Sequence, residues 1–118
     1  MTYIDGFIIP VPEDKVDDYR KLEEEAGKVW MKYGALSVHA CIADDVPDGK
    51  VTDFKRSVKL EEGETVAFAW IVYKSREHRD EVNAKVMEDP YMKDFDMTDA
   101  PFDGKRMIYG GFREIVSL

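Results

Sequence analysis

Short runs of β-branched and aromatic residues alternate with two longer stretches in which apolar residues return every three or four positions. The first run, Tyr3-Ile4-Asp5-Gly6-Phe7-Ile8-Ile9, predicts a strand closed by Pro10 and Pro12. Pro12 suits the first turn of a helix, where a missing N–H costs nothing, and Glu13 and Asp14 complement the helix dipole. Val16, Tyr19, Leu22, Ala26, Val29, Trp30 and Tyr33 then mark one face of an amphipathic helix that stops at Gly34. Residues 36–43 alternate again and predict a second strand. Leu36, Val38, Ala40 and Ile42 fall on one face, Ser37, His39 and Cys41 on the other.

Asp44 to Lys50 has turn chemistry, and Val51 to Lys59 reads either as a hairpin arm or as an ordered loop. After a polar turn at Glu61-Glu62-Gly63-Glu64, Thr65 to Tyr73 carries neither charge nor proline, the pattern of a strand buried on both faces. Ser75 is an N-cap for a second helix striped by Val82, Val86 and Met87 and ended by Asp89-Pro90. Tyr91 to Asp103 reads as a short helical turn plus loop. A last strand spans Lys105 to Val116, where Gly110-Gly111 marks a bulge or a close backbone approach.

The order β-α-β-β-α-β predicts an α+β fold of the ferredoxin-like kind, one domain over residues 1–118. Its four-stranded antiparallel sheet has both helices on one face and the first and third strands in the middle. Two helices cover only one face, yet residues 65–73 ask for cover on both, and Phe7, Trp70 and Phe112 cannot all point at the helices. A homodimer with the two open sheet faces packed together, a dimeric α/β barrel, supplies the missing layer.

Composition narrows the partners. The chain has 118 residues, 44% of them hydrophobic, enough for a core without staples. A net charge of −8 disfavours nucleic acid and anionic membranes. A single cysteine, no apolar stretch of membrane-spanning length and no signal-peptide pattern at the start predict a cytoplasmic protein.

Asp5-Gly6-Phe7, the segment Ala43-Asp44-Asp45-Val46-Pro47-Asp48-Gly49-Lys50-Val51-Thr52 and the segment from Pro101 to Phe112 resemble signature stretches of the YbaA-like family, small bacterial proteins of unknown function. The resemblance runs from about Tyr3 to Val116. It implies the dimeric α/β-barrel fold, whose wider superfamily includes cofactor-free monooxygenases, lactone isomerases, haem-handling enzymes and ligand-sensing domains. It carries over no catalytic residue.

No motif specifies a reaction, so candidate chemistry rests on single residues. His39 could act as a general base, with Cys41 beside it on the same strand face as a nucleophile or ligand-binding thiol. The plainer reading is a satisfied histidine and a buried small thiol. Arg106 or Arg56 could hold a substrate anion. For Arg106 the plainer reading is a salt bridge to Asp5 across the first and last strands. Trp70, Phe68 and Tyr109, with Phe7 and Tyr3, could line an aromatic pocket or simply an interface. No metal site is expected, since only His39, His78 and Cys41 offer soft ligands, and no cofactor is implied. Two functions follow: a dimer that binds a small molecule, or a cofactor-independent enzyme of monooxygenase or isomerase type. A cavity of about 300 Å³ or more holding His39 and an arginine would favour the enzyme.

Overall fold

In the computed structural model, which describes residues 1–118, β1 (Tyr3–Pro12) turns through a short 3-10 segment into α1 (Val16–Lys32). Then come β2 (Ser37–Ile42), a one-turn helix α2 (Phe54–Ser57), β3 (Glu64–Tyr73), α3 (Arg76–Glu88), α4 (Pro90–Asp94), a 3-10 turn at Met97–Asp99 and β4 (Ile108–Arg113). The four strands form one antiparallel sheet in the order β2-β3-β1-β4, with β3 and β1 in the middle as the element order predicts.

Several boundaries follow from local chemistry. Gly34 takes a left-handed φ of 110° just past α1, where a side chain would be strained. The Ser75 hydroxyl accepts from the His78 N–H and caps α3. Asp89 ends α3 and caps α4 by accepting from the Tyr91 N–H. The first strand is longer than predicted and runs through both prolines. Its pairing with β4 ends at Ile8 opposite Ile108, so beyond that point β1 has a neighbour only in β3 and the prolines sit at an edge. The last strand is shorter than the Lys105–Val116 reading. Of the ambiguous Val51–Lys59 segment, four residues form α2, capped by Asp53, which accepts from the Arg56 N–H.

Gly110-Gly111 forms no bulge, since the β1–β4 register is continuous. The glycines serve close approach instead. A Cβ on Gly111 would strike the Tyr3 ring, and the Phe112 ring lies over Gly110 and Gly6.

One face of β3 is covered and the other is not. Ala67, Ala69, Ile71 and Tyr73 are buried beneath the helices, whereas Phe68 remains 43% exposed. The covered core has two parts. Val29, Ala35, Ile71, Tyr73, Val82 and Val86 pack where α1 ends against α3; Ile9, Val11, Tyr19, Ala67 and Ala69 pack under the start of α1. Phe7 touches both, and a cavity lies between them. No helix is long and apolar enough to cross a membrane.

Candidate functional site

The sequence-predicted site residues divide between places the sheet keeps apart. His39 and Cys41 lie on β2 and project to the face away from the helices, the orientation needed to reach a dimer interior. His39 pairs across the ladder with Trp70, and the two rings stack at 4.7 Å. Trp70 and Phe68 meet edge to face at 5.5 Å, and Phe54 of α2 packs on Phe68 at 6.2 Å. Cys41 is an exposed free thiol, not the buried one expected, because β2 is an edge strand. Trp70 and Phe68 line a groove of about 510 Å³ on this open face with Ile4, Ile8, Ile108 and Phe112. The groove contains no charged side chain and no histidine. Tyr109 borders it but stacks on Phe7 at 6.3 Å.

The two arginines serve structure. Arg106 donates to both carboxylate oxygens of Glu64, at 2.8 and 2.7 Å, to Asp103 at 2.9 Å and to the Lys59 carbonyl at 3.1 Å. Its guanidinium holds the Glu64 and Asp103 carboxyls below the ordinary carboxylate range. Arg106 therefore anchors the approach to β4 against the start of β3. It also stands at the opposite edge of the sheet from His39. Arg56 donates to the Gly49 carbonyl at 2.9 Å and lies near Asp53, tying the 44–53 loop to α2.

The expected Asp5–Arg106 bridge does not form. The antiparallel register sets Asp5 opposite Gly111, while Arg106 precedes Ile108 at the far end of the ladder. Asp5, 7% exposed, pairs instead with Arg79 of α3 at 2.6 Å. Arg79 also lies over the Tyr3 ring. Beside this pair, Asn83 accepts from Trp30 Nε1 at 3.0 Å and from the Tyr73 hydroxyl at 3.1 Å, so the polar atoms under α3 are satisfied.

The other candidate site is a hollow between sheet and helices, partly open to solvent. It measures about 190 Å³ and is walled by Phe7, Leu22, Ala26 and Ile71, with Met92 and Phe102 from the C-terminal segment. Every lining residue except Glu23 and His39 is apolar or aromatic. Glu23, on α1, also borders a second hollow of about 380 Å³ between α1 and β2, which it shares with Tyr19, Arg20, Val38 and Cys41. Glu23 thus borders both hollows.

Burial pushes the Glu23 carboxyl above its ordinary range, while interaction with the Tyr19 hydroxyl pulls it down. Burial, with the Glu23 charge added, drives the Tyr19 phenol far up. Tyr19 is 2% exposed, and its hydroxyl has no partner in good hydrogen-bond geometry. Neither residue is among the sequence-predicted sites, yet a signal existed. Glu23 lies four residues after Tyr19 and three before Ala26, so it is an acid set within the apolar stripe.

A four-stranded antiparallel sheet with helices on one face, and an apolar hollow bordered by a carboxyl between the layers, define a small α+β protein. Within that class the chain belongs to the family described as "Protein of unknown function (DUF1428)", whose model matches residues 2–104. The chain is 54% identical over 116 residues to the uncharacterised protein YbaA of Escherichia coli K12, covering 98% of each chain. The YbaA protein of Shigella flexneri matches equally. The resemblance in the three signature segments thus extends over almost the whole sequence. Among solved structures, Rv0793 from Mycobacterium tuberculosis shares the fold, with a TM-score of 0.54 and 13% identity over 99% of this chain and 98% of that one.

Proposed function

We propose that this protein is a small-molecule-binding homodimer. The two sheets pack face to face, and each protomer holds an apolar ligand in the cavity between its sheet and its helices. The observation that carries the binding half is the cavity itself. An apolar volume of about 150 Å³ is enough to take benzene. A cavity of about 190 Å³, walled almost wholly by apolar side chains, admits one ring with a short substituent. Neither hollow brings His39 and an arginine together, so the geometry favours binding over the enzymatic alternative.

The dimer rests on the open face. Phe68 and Phe112, 43% and 63% exposed, stand with half-buried Ile4, Ile8 and Trp70 in a charge-free patch across the central strands. Large exposed aromatics without charge are the composition of an interface core.

Thermal shift and calorimetry with indole and p-cresol test the binding half. Both should bind the wild-type protein, and Ala26→Leu, which fills the cavity from α1, should abolish binding while leaving the fold intact. Unchanged binding by Ala26→Leu would place the site elsewhere. Light scattering tests the dimer: a particle of twice 13.6 kDa is expected at micromolar concentration, and a stable monomer would refute it.

A further inference from the structure

Glu23 is the feature of the cavity that apolar packing does not explain. It takes part in no ion pair. Arg20, the nearest cation along α1, is engaged by Asp17 at 3.3 Å and by Glu24 at 3.0 Å. The Tyr91 hydroxyl, which faces the same space from α4, donates to Glu25 instead. His39 borders the cavity, but its ring is stacked on Trp70. The half-buried carboxyl therefore borders a hollow of apolar and aromatic side chains without an ion-pair partner, a position that an incoming cation suits.

A carboxylate offers acceptors and no donor, whereas an ammonium group carries three donors and no acceptor, so the two are complementary. The walls fit the remainder of such a ligand. Phe7, Trp30, Phe95 and Phe102 present aromatic faces and edges, and aromatic faces attract cations as well as apolar rings. A chain charge of −8 also raises the local concentration of cations and disfavours anions.

We propose that the cavity takes a small hydrophobic amine, its ring among the aromatic walls and its ammonium group held by Glu23. This inference rests on the reading of the cavity as a ligand site and adds the charge class of the ligand. Glu23 is already half-buried in the folded protein, so part of the desolvation that the ion pair requires precedes ligand entry.

The test compares phenethylamine with phenethyl alcohol, two probes of the same shape and different charge, by calorimetry on the full chain near neutral pH. The amine should bind at least about tenfold more tightly, the range a charge-assisted hydrogen bond supplies. In Glu23→Gln, with the fold checked by circular dichroism, the two probes should bind alike and the alcohol should keep its wild-type affinity. Equal binding of the two by the wild-type protein would overturn the amine assignment and leave the cavity reading standing, as would an amine preference that survives in Glu23→Gln. Failure of both probes to bind the wild-type protein would overturn the two together.

Discussion

Replacing Tyr19 by phenylalanine removes one oxygen from the most buried side chain of α1. The ring stays, and with it the edge-to-face contact with Phe102 at 6.1 Å and the packing against Ile9, Val11, Ala67 and Ala69. The oxygen that leaves has no hydrogen-bond partner, and a buried hydroxyl without one costs about 1–3 kcal/mol. Against this gain stands the loss of the phenol dipole that favours the ionised Glu23 carboxyl. The net expectation is a stabilisation on the order of 1 kcal/mol, read as a rise in Tm of a few degrees. Tyr19→Ala, which also empties the ring volume, should by contrast cost about 3–5 kcal/mol. Urea unfolding near neutral pH measures both, with an unchanged m-value confirming that only stability has moved. A loss of about 1 kcal/mol or more in Tyr19→Phe would refute this expectation and show that the hydroxyl is hydrogen-bonded in the folded protein.

Other consequences follow from the ion pairs and the open face. Arg79→Met should cost about 3–5 kcal/mol, because it strands a carboxylate in Asp5 whose side chain is 10% exposed; Asp5→Leu in the same chain should recover most of that loss in chemical denaturation. Phe112→Asp should convert the proposed dimer to a folded monomer in light scattering, and a dimer retained by the variant would move the interface elsewhere. Glu23 and Asp89 should act oppositely on stability across the acid range. The folded Glu23 carboxyl is raised by burial, so its contribution weakens as pH rises through the raised value, and Glu23→Gln should flatten the stability profile on that side. Asp89 is lowered, first by the Tyr33 hydroxyl at 2.7 Å and then by the Tyr91 N–H. Its contribution is therefore present above the ordinary carboxylate range and lost as pH falls, so Asp89→Asn should blunt acid unfolding.

The parts of the fold readable from the sequence are those set by neighbours along the chain. Period-two alternation in residues 36–43, the stripe from Val16 to Tyr33, the cap at Ser75 and the break at Asp89-Pro90 are local signals, and each element forms close to where they put it. The errors concern contacts between distant segments. Whether Asp5 meets Arg106 or Arg79 depends on the β1–β4 register and on where α3 crosses the sheet, neither of which has a local signature. Cys41 reads as buried from residue type alone, but its exposure is decided by β2 lying at the sheet edge. Glu23 was hidden for a related reason. Its position in the stripe is visible, but an acid on an amphipathic helix takes on meaning only once a cavity is found behind it.

The hollow between sheet and helices, and not the open sheet face, is the proposed receptor for a small molecule. Methyl-resolved NMR during titration with phenethyl alcohol separates the two directly. Leu22, Val38, Ile71 and Met92 line the interior cavity, whereas Ile4, Ile8 and Ile108 line the open face. Saturable shifts in the first group, with the second unmoved, are the predicted result. Shifts confined to Ile4, Ile8 and Ile108 would contradict it.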